Sequence, residues 1–253
     1  MSFAKDQLTQ DDFLGGLIKI WQPRVGYRAA TDPVFLAAVV PAKSGQTVLE
    51  LGCGAGTALA CLCQRVVGLD AHGLEIQADY ADLARLNAVD NELGFNVHDG
   101  DLLDMPSPIR TASFDHVFTN PPFYNAAASS ALADGGRDMA HRIGEAQLED
   151  WIEIGLRRLK PKGYFTIIHR AERLADILAS LTGKAGDIRI LPLTSREGRA
   201  AGRVIVCARK GAGGALGLLA PLVLHEGAAH SKDEDSFRED VRKILRNGGA
   251  LEL

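Results

Sequence analysis

With 253 residues, 46% of them hydrophobic, the chain can bury a full core as one large domain or one domain with appendages. A net charge of −4 excludes a global basic field of the kind that draws in nucleic acid, leaving only a local patch for that task. The start "MSFAKDQLTQDD" lacks the basic and apolar regions of a signal peptide, and no apolar run reaches membrane-spanning length, so a cytoplasmic protein is expected.

In chain order, "LIKIWQPRVGYRAA" reads as a short hairpin and "TDPVFLAAVV" as a helix with Thr31 or Asp32 as its cap and Pro33 in its first turn. From Thr47 onward, short apolar runs alternate with segments of helical period. "TVLEL" is a strand and "TALACLCQRV" a helix; "AHGLEI" is a strand and "ADYADLARLNAVDN" a helix. "FNVHDGD" and "FDHVFTN" are strands. "EAQLEDWIEIGLRRLK" is amphipathic, with Leu148, Trp151, Ile152, Leu156 and Leu159 on one face, and Pro161-Lys162-Gly163 ends it. "YFTIIH" is then a strand, "ERLADILASL" a helix, and "DIRILPL" and "RVIVCAR" are closing strands with no clear helix between them. The expected fold is α/β, a doubly wound, mostly parallel seven-stranded sheet with an antiparallel edge hairpin and a small N-terminal appendage. Residues 1–46 form the appendage, 47–227 the main domain, and 228–253 a charged tail read as an exposed helix. The four cysteines (Cys53, Cys61, Cys63, Cys207) have no zinc-ligand spacing and read as reduced, buried thiols, so no metal is expected.

"VLELGCGAG" sets Gly52, Gly54 and Gly56, with Cys53 among them, between a strand and a helix. The spacing is GxGxG, not the pyrophosphate-binding GxGxxG, which suggests close approach to a flat, uncharged group. Glu50 ends the first strand where it can meet a ligand cation. Of two acids near the second strand's end, Asp70 follows Gly56 too soon, so Glu75 is the candidate for a ribose diol and Asp70 is a solvated turn residue. Asp101 and Leu102 follow the third strand, placed for an adenine amine and ring, although Asp101 also suits a turn cap. These anchors describe an adenosine without phosphates, which S-adenosylmethionine satisfies better than NAD.

The fourth strand ends in Asn120-Pro121-Pro122-Phe123. A conjugated exocyclic amine is a poor nucleophile. Acceptors at both of its N–H groups, here the Asn120 side chain and the Pro121 carbonyl, draw it toward tetrahedral geometry. The prolines remove competing donors, and Phe123 offers a stacking face.

"ELGCGAG", "GLEI", "GDLLD" and "NPPF" together resemble class I S-adenosylmethionine-dependent methyltransferases of the amino-methylating branch. With "QPRVGYRAATDPVFLAA", "LEDW…LRRLKPKG", "IIHRAERLADIL", "GRAAGRVIVCARK" and "LVLHEG", residues 17–227 are similar to the tRNA(Val) (adenine-37-N6)-methyltransferase family. The resemblance implies that Gly52, Gly54, Gly56, Glu75 and Asp101 hold the cofactor, with Thr31 and Asp32 nearby, and that Asn120 to Phe123 hold the target adenine. It also implies an RNA substrate, a tRNA anticodon loop. Phosphate contacts would come from Arg189, Arg196, Arg199, Arg203, Arg209 and Lys210, or from Arg137, His141 and Arg142. N5-methylation of a protein glutamine uses the same four residues and stays open. A nicotinamide oxidoreductase and a non-catalytic cofactor-binding module are the rivals from other classes.

Overall fold

The structure is a computed structural model that describes residues 3–122, 146–227 and 236–253. Phe123, Arg137, His141 and Arg142 lie outside the described residues.

A two-stranded antiparallel hairpin, β1 (Leu8–Phe13) and β2 (Ile18–Pro23), precedes α1 (Asp32–Val39). The main unit then alternates β3 (Thr47–Leu51), α2 (Thr57–Arg65), β4 (Asp70–Glu75), α3 (Ala78–Asp90), β5 (Phe95–Asp99), α4 (Ser107–Thr111) and β6 (Phe114–Thr119). It continues with α5 (Leu148–Arg158), β7 (Leu159–Arg170), α6 (Leu174–Leu181), β8 (Ala185–Thr194) and β9 (Ala201–Lys210). Two short strands, β10 (Gly217–Leu218) and β11 (Leu222–Val223), both pair with β8, and α7 (Glu239–Asn247) closes the chain.

The sheet runs β10-β8-β9-β7-β6-β3-β4-β5. Pairing is parallel from β5 to β7, while β9 is antiparallel to both β7 and β8, as the missing helix between the last two strands leads one to expect. Side chains alternate across the sheet, so Val48 joins the core under α1, α2 and α7 while Leu49 and Leu51 join the core under α5 and α6. Burial on both faces explains why these strands read as unbroken apolar runs.

Four features depart from the sequence reading. The hairpin forms earlier than the stretch read as one, because Leu14, Gly15 and Gly16 all take positive φ (52°, 68° and 92°) and turn the chain there. Pro161-Lys162-Gly163 does not separate a helix from a strand, since β7 already begins at Leu159, opposite Phe114; Lys162 (φ 66°) and a register shift absorb the irregularity. The tail is not simply exposed: α7 buries Val241, Ile244 and Leu245, ends on left-handed Gly248, and is followed by Leu251 N–H donating to Ala38 O at 2.9 Å. Asp70 opens β4 instead of forming a turn, though it is exposed as expected.

Candidate functional site

The chain winds outward from β3 to β5, then returns to place β6 on the other side of β3. A crevice opens beyond the carboxyl ends of strands at such a reversal. A cavity of about 300 Å³ lies there, enough for a small organic ligand. Thr119 Oγ1 donates to Leu51 O at 2.9 Å, fastening the ends of β6 and β3 so that Asn120 and Gly52 enter the same cavity.

Of the residues singled out in the sequence, the cavity wall unites Glu50, Gly52, Cys53, Gly54, Glu75, Asp101, Leu102, Asn120, Pro121 and Pro122. Gly56, Thr31 and Asp32 are not in the lining. Gly56 caps α2 in a left-handed conformation (φ 78°), and a β-carbon there would stand 3.1 Å from Ala84 Cβ. Gly52 (φ 66°) has even less room, with Trp151 ring atoms 2.7 and 2.9 Å from a β-carbon. Both glycines therefore answer to the backbone and to neighbouring side chains of the protein.

Glu50 is buried, and its Oε2 accepts the Leu59 N–H at 3.0 Å in the first turn of α2. The helix end that would bind a phosphate is thus already supplied with an anion from within the chain. Burial pushes the Glu50 carboxyl well above the ordinary carboxylate range, partly offset by that bond and reinforced by the nearby charge of Glu75. Glu75, also buried, accepts the Gly54 N–H at 2.8 Å with Oε2 and the Gln77 N–H at 2.9 Å with Oε1. Burial raises its pKa too, against the opposing effect of those bonds. Asp101 Oδ1 accepts the Leu103 N–H at 2.9 Å, so the turn-cap role exists alongside its place in the wall.

Two buried polar atoms in this wall have no hydrogen-bond partner among the described residues, Thr57 Oγ1 and Asn120 Oδ1. An unsatisfied buried acceptor costs roughly 1–3 kcal/mol, which a ligand donor would recover. The wall contains three carboxylates and no Lys, Arg or His among the described residues. It therefore favours a cationic ligand and disfavours a phosphate-bearing one.

The expected basic run does not form one patch. Arg209 and Lys210 lie at the opposite end of the sheet, donating to Lys162 O and Leu159 O, and Arg189 pairs with Asp187. Near the carboxyl ends, Arg203 pairs with Asp32 at 2.9 Å, and Arg196 donates to the carbonyls of Glu226 and Gly227. Arg199 is exposed in the β8–β9 connection, where its carbonyl accepts from Thr194 Oγ1 at 2.9 Å. Neighbours in an antiparallel hairpin diverge to opposite ends of a sheet, which a linear charge count does not register.

Sequence reasoning missed Tyr27, Pro33, Tyr80 and Trp151 in the cavity wall. Tyr80 Oη donates to Tyr27 O at 3.0 Å, tying the segment after the hairpin to α3. Asn87, fully buried on α3, donates to Ala55 O (2.9 Å) and Trp21 O (3.1 Å) and accepts the Trp21 N–H (2.7 Å). One amide thus joins the glycine turn, the hairpin and α3. The aromatic of "QPRVGYRAA" and the tryptophan opening an apolar helix face were the available signals.

Residues 30–180 match the family model described as methyltransferase small domain. A Porphyromonas gingivalis protein named tRNA1(Val) (adenine(37)-N6)-methyltransferase is 32% identical over 158 residues, covering 59% of this chain and 61% of that protein. A Dickeya chrysanthemi protein of the same name is 26% identical over 193 residues, covering 74% of this chain and 75% of that one. Among solved structures, an Agrobacterium tumefaciens protein described as a predicted O-methyltransferase superposes with a TM-score of 0.69 at 24% identity, covering 88% of this chain and 99% of its own. The T. thermophilus 16S rRNA N2 G1207 methyltransferase, in complex with AdoMet and guanosine, gives 0.55 at 17% identity, covering 80% of this chain and 50% of its own. At these identities the structural likenesses establish the fold.

Proposed function

We propose that this chain, which belongs to the methyltransferase small domain family, methylates the exocyclic N6 of an adenine in the anticodon loop of a tRNA, using S-adenosylmethionine. The residues present fit that cofactor: carboxylates without cations in the wall, the α2 N-terminus occupied by Glu50, and an orphaned hydroxyl on Thr57. Glu75 would take the ribose hydroxyls, Asp101 and Leu102 the adenine, and the Gly52–Gly54 turn the amino-acid end. When bound, the cofactor supplies an electrophilic methyl group on a sulfonium sulfur.

The observation that carries the reading is the Asn120 side-chain carbonyl, buried in the wall with no partner among the described residues. With the Pro121 carbonyl it would accept both amine hydrogens, turning the nitrogen lone pair away from the ring. Pro121 and Pro122 bring no N–H to compete for the same oxygens. No strong base is needed, because the nitrogen becomes acidic only after it has gained its fourth bond.

The names of the curated relatives support a tRNA adenine as the target. A loop adenine is already partly unpaired, so extruding it costs little. The test is nucleoside mass spectrometry of tRNA incubated with the protein and isotope-labelled S-adenosylmethionine. N6-methyladenosine appearing in tRNA supports the reading; label found on protein glutamine, with none in RNA, replaces it.

A further inference from the structure

Trp151 is a wall residue to which the reading above assigns no task. It stands in the first turn of α5, partly exposed, and lines the same cavity as Gly52 and the Asn120–Pro122 tip. Its six-membered ring packs over Gly52 so closely that a β-carbon there would stand 2.7 Å from Cη2. Gly52 holds a left-handed conformation at that contact, so the turn and the indole are shaped to each other.

The cavity attracts a cation, yet its carboxylates are engaged by backbone donors. Glu50 accepts from Leu59, Glu75 from Gly54 and Gln77, and Asp101 from Leu103. An indole face is the strongest uncharged partner for a cation among side chains. Resting on the cofactor reading above, we infer that Trp151 is a specificity-determining residue that recognises the positive sulfonium and so distinguishes the cofactor from the neutral thioether left after methyl transfer. Loss of that attraction on turnover favours exchange of the spent molecule for a fresh one.

Titration calorimetry on the full chain with S-adenosylmethionine and S-adenosylhomocysteine tests this without reference to activity. Trp151→Leu is expected to weaken the sulfonium ligand roughly five- to thirty-fold and the thioether less than about three-fold, with Trp151→Phe in between. Fluorinated tryptophans, which drain the ring's negative face while keeping its shape, should lower sulfonium affinity stepwise and leave thioether affinity flat. This second series does not depend on the leucine variant folding. The chain's other tryptophan, Trp21, is bonded to Asp90 at 2.6 Å outside the cavity wall and does not confuse the readout. Equal losses for both ligands, or no response to fluorination, would overturn the inference and leave the cofactor reading standing. A wild-type chain that binds neither ligand would overturn both.

Discussion

The two ends of the sheet share one deficiency and put it to different use. At the carboxyl end, Thr57 Oγ1 and Asn120 Oδ1 are buried without partners among the described residues; toward the amino end, so are Arg65 Nε and His116 Nδ1. The first pair faces a cavity of about 300 Å³. Beside Arg65 there is a space of only about 10 Å³, too small for a ligand. The amino-end residues are also fastened by their other atoms: Arg65 Nη2 donates to Ala37 O and Val40 O, and the His116 Nε2 pairs with Gln46 Oε1 at 2.9 Å. His116 further stacks on Tyr164, and the neighbouring Asp115 gathers bonds from Thr47 and Lys160. An orphaned polar atom marks a site where space accompanies it; elsewhere it is a cost borne by the fold.

The sharpest way to break this contrast is Asn120→Ala. It should lower methyl transfer at least a hundred-fold, measured with labelled cofactor, while cofactor affinity by calorimetry changes less than about two-fold. Equal loss of both would reduce the carboxyl-end orphan to a structural atom like its counterpart at the other end. Glu75→Ala should do the opposite, weakening cofactor binding roughly 10- to 100-fold with transfer largely kept at saturation, because the carboxylate supports both ligand and turn.

The amino end should reveal itself through stability. At that end burial depresses His116 to about 4, and at the carboxyl end of β7 burial followed by the charge of Arg173 does the same to His169. Each unfolded histidine takes up its proton near pH 6.5 while the folded one resists, so stability falls as pH drops from about 6.5 to 4, by about 1.4 kcal/mol per pH unit for each. Urea denaturation across that range should show a smaller loss of stability on acidification for His116→Gln than for the parent chain. At the carboxyl end, Glu50 has the opposite sign of shift. A cationic ligand favours its ionised form, so S-adenosylmethionine affinity should climb with pH toward the raised pKa and level off above it. Glu50→Gln should flatten that pH dependence in calorimetry, leaving the part that Glu75 contributes. The smallest effect is expected from Arg203→Ala: its pair with Asp32 is partly exposed, and unfolding should shift by no more than about 1 kcal/mol.

Much of the carboxyl end was legible in the residues themselves, because strand–turn–helix junctions are local. Glu75 ends a strand, and the GxGxG turn and the Asn120 tip each follow one, whose apolar run announces them. What escaped depends on contacts distant in sequence. Trp151 reads as one more member of the apolar face it shares with Ile152 and Leu156, and its contact with Gly52 exists only once α5 packs beside β3. The tail helix looks solvated because its charges outnumber its apolar residues, yet Val241, Ile244 and Leu245 find a surface supplied partly by α1. The hairpin was misplaced because Leu14, a residue type that rarely turns a chain, takes the left-handed conformation there.

Asn87 sets a practical boundary on how this protein can be trimmed. A version beginning after Pro23 would strip that amide of both bonds to Trp21 and leave it the one to Ala55 O. Weakened ligand capture by such a shortened form would therefore record a loosened glycine turn, and would be no measure of contacts made by the missing strands.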